Sequence, residues 1–288
     1  MRARDERYGR PDTHRPVAET RERRADIGGT DVLWREAEPR AGAAPVLYIH
    51  GVPTSGEDWL PFLELSGGIA PDLPGFGRSG KSAAFDYSIP GYAAFLRAFV
   101  EHLGLEQLSL VMHDWGVVGL ALAQEAPELV ERLVVINAVP LLPGYRWHRT
   151  ARLWRTPIVG ELFMGSTTRW GARTLARRMR LVPEAVVDEW VDASLRHFDH
   201  GTQRAILRLY RSAPSDVLAR AGERLGELRA PALVIWGEHE PFLPRPFAHA
   251  YADALGGEAE VDIVEGAGHW PWLERPEVVE RVARFLGG

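Results

Sequence analysis

The sequence predicts an α/β domain with a mostly parallel central sheet, helices on both faces and an inserted helical lid. Three observations carry that prediction. Short continuous apolar runs alternate with stretches of helical spacing along much of the chain, the pattern of strands buried on both faces and joined by right-handed crossovers. Between Pro140 and Leu228 the rhythm stops, and amphipathic helical pieces replace the buried runs. At 288 residues the chain has the length for one large domain carrying such an insertion.

The first 24 residues hold eight arginines and five acids with no apolar stretch. They read as a solvated, flexible arm over 1–24, neither a secretory signal nor an acid-poor transit segment, with order beginning near Thr20. A core over 25–139 and 229–288 follows, interrupted by a helical cap over 140–228. Val32–Trp34 and the continuous run Val46–Ile49 are expected strands, and Ile69–Leu73 a weaker one stopped by Pro74-Gly75. Ser88 caps a helix whose Tyr92, Phe95, Leu96, Phe99 and Leu103 share one face before Gly104 ends it. Leu108–Met112 is a buried strand, Val117–Ala126 a helix broken by Pro127, and Leu133–Ile136 another strand. In the cap, Ala185–Leu195 and Gln203–Tyr210 are amphipathic. Ala232–Trp236 and Val261–Val264 complete the strands, and a helix over Pro276–Leu286 closes the chain.

Composition narrows the function classes. Hydrophobic residues make up 45% and charged residues 25%, which suits a globular enzyme and excludes a disordered chain. The chain has no cysteine, so disulfides, thiolate nucleophiles and cysteine-ligated metals are excluded. No run of about 18 apolar residues suggests a membrane span. A net charge of −5 argues against a nucleic-acid footprint, and of 34 basic residues only Lys81 is lysine. The expectation is therefore a cytoplasmic enzyme with no cofactor, no metal, and neither nucleic acid nor membrane as partner. Self-association as a homodimer stays open.

The segment carrying most chemistry is Met112-His113-Asp114-Trp115-Gly116. A strand delivers the chain to Asp114 and a helix starts directly after it, which pushes that carboxylate out at the carboxyl end of the sheet. An N-capping role would be the bland reading of Asp114. Two further loops oppose it. Gly266-Ala267-Gly268-His269 follows the last strand, and Gly237-Glu238-His239-Glu240-Pro241 follows the one before it. A carboxylate, an acid and a histidine, each just past a strand end, suggest nucleophile, orienting acid and base.

With those residues in view, the chain resembles the α/β-hydrolases of the carboxylate-nucleophile branch, which includes epoxide hydrolases and haloalkane dehalogenases. The match runs from about residue 25 to 288. His50-Gly51-Val52-Pro53 resembles the oxyanion loop, Asp72-Leu73-Pro74-Gly75-Phe76-Gly77-Arg78-Ser79 the next characteristic turn, His113-Asp114-Trp115-Gly116 the nucleophile elbow, and Gly268-His269 the base loop. Glu240 stands where the family usually has Asp, with Glu238 as the fallback. Met112 stands where many members have Gly. The resemblance implies Asp114 as nucleophile, His269 as base and Glu240 as its orienting acid, with the Trp115 and Val52 backbone N–H groups as oxyanion donors.

The substrate implied is a small apolar electrophile, with water as cosubstrate. An opening epoxide needs a proton donor, and Leu209-Tyr210-Arg211 is similar to the second lid tyrosine of epoxide hydrolases; Tyr145 is the candidate for the first. A departing halide needs N–H donors. Trp115 fits, but Val52 has no donor side chain, and Trp147, Trp154, Trp170 and Trp190 offer too many choices for the second. Pro53-Thr54-Ser55 leans toward dehalogenases. This reading settles on an epoxide hydrolase, with a haloalkane dehalogenase as the alternative and a low-turnover ligand-binding protein as a second. Tyr210, Trp115, Tyr145 and His50 are the candidate substrate contacts, although His50 and His113 also suit loop bracing.

Overall fold

A computed structural model describes residues 19–39 and 42–287. Eight strands form one sheet: β1 (Arg21–Ile27), β2 (Thr30–Ala37), β3 (Val46–Ile49), β4 (Gly68–Pro71), β5 (Leu108–Asp114), β6 (Val130–Ala138), β7 (Ala232–Gly237) and β8 (Ala259–Val264). Their order is β1-β2-β4-β3-β5-β6-β7-β8. β1 pairs antiparallel with β2, and β2 with β4. Every other pairing is parallel. The α/β class with a mostly parallel sheet is thus as the sequence predicts.

The central strands are wholly buried because the sequence gives them apolar residues on both faces. Leu47 pairs with Leu110, and Ile49 with Met112, so the two inner runs end level with each other. The helix Ile89–His102 packs one such face. Ser88 accepts the Gly91 N–H at its start, and Tyr92, Phe95, Leu96 and Phe99 turn inward.

One expectation is corrected at the N-terminus. The arm assigned to 1–24 overlaps β1, which begins at Arg21; residues 1–18 lie outside the described residues. The strand escaped notice because Arg21–Asp26 carry almost no apolar signal. The antiparallel ladder with β2 holds it at the sheet edge, and exposed ion pairs decorate it: Arg23 with Glu36 at 2.8 Å and Arg24 with Asp31 at 2.6 Å, both on β2. A charged edge also discourages pairing with another chain.

Between β6 and β7 lie the helices Arg149–Arg155, Val159–Gly165, Arg169–Met179, Val187–Leu195, His200–Ser212 and Ser215–Ala221. They sit over the carboxyl ends of β5 to β7, since residues from five of them wall the cavity described below. Among the described residues no helix is long and apolar enough to cross a membrane.

Candidate active site

β5 runs straight into a 3-10 turn, Trp115–Val118, that leads to the helix Gly119–Glu125. At the junction Asp114 takes φ 51° and ψ −117°, a conformation that costs an L-residue roughly 1–2 kcal/mol. The turn projects the carboxylate beyond the sheet. Gly51 makes room for it, because a Cβ there would stand 2.5 Å from Asp114 Cβ. Met112 is accommodated by a second glycine: a Cβ on Gly119 would meet Met112 Sδ at 2.9 Å. The bulk at 112 is therefore offset one helical turn later rather than by loosening the elbow.

Asp114 is 5% exposed. Its Oδ1 accepts the Val52 N–H at 2.9 Å, and the Trp115 backbone N–H acts on the same carboxylate. Its Oδ2 stands 3.8 Å from His269 Nε2, close but unbonded. Burial pushes the Asp114 carboxyl up to about 6, against the opposing pull of His269 and the two backbone N–H groups.

His269 is held from the other side. Its Nδ1 donates to Glu240 Oε2 at 2.5 Å, while Glu240 Oε1 accepts the N–H groups of Phe242 (2.7 Å) and Leu243 (3.2 Å). Glutamate's extra methylene is used in full, since both oxygens are occupied. Burial alone would lower the His269 pKa. The charge and hydrogen bond of Glu240, with Asp114 and Asp58 nearby, outweigh it and leave the imidazole above its ordinary value. Glu238, the fallback, accepts the Gly266 N–H at 2.8 Å instead and plays no part at His269.

The other candidates separate. Tyr210 lines the cavity, and its buried phenol is pushed well above 10 by desolvation. Trp115 is 1% exposed and is not part of the cavity wall; it stacks on Trp147 with ring centroids 5.5 Å apart and meets the cavity-lining Tyr210 edge-on at 5.1 Å. The Trp115 Nε1–H approaches the Tyr210 side chain without reaching hydrogen-bond geometry, and so keeps an unused donor. Tyr145 is a correction: it is 1% exposed and packs on Trp147 and Phe247 behind the cavity wall. His50 is another. It is fully buried, its Nε2 accepts the Leu73 N–H at 2.9 Å, and its Nδ1 donates to Gly51 O at 2.7 Å. Burial lowers its pKa to about 4, so it braces the loop as a neutral ring rather than touching substrate. His113 braces likewise, with Nε2 donating to His269 O at 2.8 Å.

Three residues went unnoticed in the sequence. Asn137, next to last in β6, ties two loops together: its Nδ2 donates to Gly268 O (3.0 Å) and His269 O (2.9 Å), and its Oδ1 accepts Gly237 N–H (2.9 Å). A polar residue closing the run Val134-Val135-Ile136 was the available signal. Asp58 accepts from Trp270 Nε1 at 3.1 Å and sits near His269. His148 lines the cavity, where its Nδ1 accepts the Ala151 N–H at 3.3 Å. Burial brings its pKa down to about 4, which leaves it neutral with its proton on Nε2.

These groups open onto a cavity of about 350 Å³, near the lower end of the usual range for small-molecule sites. Its walls are mostly apolar, including Met164, Leu175, Val191, Leu195 and Ile206, with Asp114, His269, His148 and Tyr210 as polar points. Among the described residues no group of three or more His, Asp or Glu side chains is placed to hold a metal. A carboxylate so placed, with an imidazole behind it, has the geometry to attack carbon and then direct a water at the resulting ester.

The family model for the alpha/beta hydrolase fold matches residues 44–276. The chain belongs to the α/β-hydrolase superfamily, and within it is haloalkane dehalogenase-like. A haloalkane dehalogenase of Mycolicibacterium paratuberculosis is 28% identical over 83% of this chain and 82% of its own length. Haloalkane dehalogenase 1 of Mycobacterium bovis is 31% identical over 69% of each. The crystal structure of haloalkane dehalogenase DbeA from Bradyrhizobium elkani superposes with a TM-score of 0.79 at 27% identity, over 94% of this chain and 98% of that one.

Proposed function

We propose that the protein hydrolyses carbon–halogen bonds through an alkyl ester on Asp114. The observation that carries this reading is the buried Asp114 carboxylate, 3.8 Å from a His269 that is itself clamped by Glu240. In the first step an Asp114 oxygen bonds to an sp³ carbon and the halide departs with the electron pair of the broken bond. In the second, His269 Nε2 takes a proton from water, whose oxygen attacks the ester carbonyl. The oxyanion then forms on the Asp114 carbonyl, where the Val52 and Trp115 N–H groups are positioned to hold it. Collapse expels the alkoxide, which takes the proton back from His269 to leave as the alcohol, and the Asp114 carboxylic acid so formed loses its proton to restore the carboxylate.

The choice of halide over epoxide departs from the reading of the sequence alone. It is supported by the dehalogenases among the relatives and by the unused indole N–H of Trp115. We expect Trp115→Phe to slow halide release about 10- to 100-fold, the worth of one hydrogen bond to an anion. Halide-sensitive stopped-flow checks this; an unchanged rate would remove Trp115 from the leaving-group site.

A second reading rests on Tyr210, whose protonated phenol lines the cavity and would equally serve an opening epoxide. A panel of haloalkanes and epoxides separates the two. Halide and alcohol in equal amounts support the first reading, whereas diol formation with inert haloalkanes would reverse the choice.

The pH profile follows from the same groups. Asp114 must be ionised to attack and His269 neutral to act as base, so turnover rises with pH. Because Asp114 is raised to about 6 and His269 lies above its ordinary value, the rise spans both and belongs to the pair. Tyr210 stays protonated far above neutrality, so no matching alkaline fall is expected below about pH 9. A kcat profile that falls from pH 6 to 8 would contradict the assignment.

A further inference from the structure

Charge and apolar exposure concentrate together on the segment covering the cavity. Residues 146–180 contain nine arginines and a single acid, Glu161, in a chain whose net charge is −5. Glu184, Asp188 and Asp192 pair with Arg177, Arg173 and Arg169. Arg146, Arg149, Arg152, Arg178 and Arg180 are exposed and form no ion pair among the described residues. Every large hydrophobic side chain exposed among the described residues also lies here, seven in all between Leu153 and Leu175. Trp170 is 77%, Ile158 73% and Leu162 70% exposed. Phe163 and Leu175 belong both to this patch and to the cavity wall, so the patch reaches the cavity itself.

We propose that this face docks onto the surface of an anionic lipid bilayer, placing the cavity mouth against the lipid. Apolar side chains set among unpaired arginines match an interface with negative headgroups above an acyl layer, and tryptophan favours that boundary. The sequence reading expected no membrane partner because the chain lacks a span; a docked face needs none. A second copy is the poorer occupant. A two-fold contact would set the same arginine-rich surface against itself, so like charges would meet. The placement would let lipophilic substrate enter from the bilayer, and it holds whether the electrophile is a halide or an epoxide.

Vesicle flotation tests this with the full chain. Vesicles of phosphatidylcholine containing phosphatidylglycerol should carry the protein with them at low salt, whereas phosphatidylcholine alone should not, and added salt should release it. The combined variant Ile158→Ser, Leu162→Ser, Trp170→Ser should bind at least about tenfold more weakly. All three residues lie outside the cavity wall, so turnover of a water-soluble substrate and the thermal midpoint should be unchanged. The variant Arg149→Glu, Arg152→Glu, Arg178→Glu should lose the preference for anionic vesicles. Absence of binding at low salt, equal binding to neutral vesicles, or sedimentation showing that the apolar residues instead close a dimer would each overturn the proposal.

Discussion

Asp114→Ala is expected to lower turnover by roughly 10⁴-fold or more while leaving a folded protein at least as stable as the unchanged chain. The loss follows because the neighbouring carboxylates are engaged elsewhere: Glu240 is committed to His269 and to two backbone N–H groups, and Asp58 accepts from Trp270. The stability follows from the sign of the pKa shift. A carboxyl raised to about 6 by burial is held ionised at neutral pH at a cost to the folded state, so removing it relieves that cost above the shifted pKa. Steady-state kinetics and a thermal melt at neutral pH check both halves. Residual activity within tenfold of the unchanged protein would mean that Asp114 is not the attacking group.

His269→Gln should separate the two steps. Alkylation needs only the Asp114 carboxylate, so the first step survives. Ester hydrolysis needs a base and should slow by roughly 10²–10⁴-fold. His269 also helps keep Asp114 ionised, and without it the carboxyl rises further. The variant is therefore best assayed well above neutral pH. It should give a burst of one halide per protein and then stall, with intact mass raised by one alkyl group in place of a proton. Steady release without a burst, or an unmodified mass after exposure to substrate, would argue that no ester forms.

Much of this site was legible in the sequence, for physical reasons that differ by residue. Val46–Ile49, Leu108–Met112 and Ala232–Trp236 announce themselves because strands buried on both faces need continuous apolar runs. Asp114 and Glu240 could be placed because each follows such a run, and His269 because it follows the half-buried edge strand β8; the sheet brings strand ends together regardless of their separation in sequence. β1 was hidden because it is held by main-chain pairing with β2 and presents charged side chains at an exposed edge, which leaves no periodic apolar pattern. Asn137 and Asp58 were hidden because their partners are a backbone carbonyl and an indole distant in sequence. Tyr145 and Tyr210 look alike as sequence candidates and both pack on Trp147; Tyr145 also packs on Phe247 and lies behind the wall, whereas Tyr210 lines the cavity. The arginines of residues 146–180 masked the apolar residues between them, so an exposed patch passed for ordinary solvated helices.

The covalent intermediate is the central claim, and the oxygen bookkeeping of one turnover tests it most directly. With protein in excess over a haloalkane in ¹⁸O-water, the alcohol should contain the ordinary isotope, donated by Asp114, and the peptide bearing Asp114 should gain one heavy oxygen. A labelled alcohol from the first turnover, with no label in that peptide, would show water attacking the substrate directly and would contradict the account.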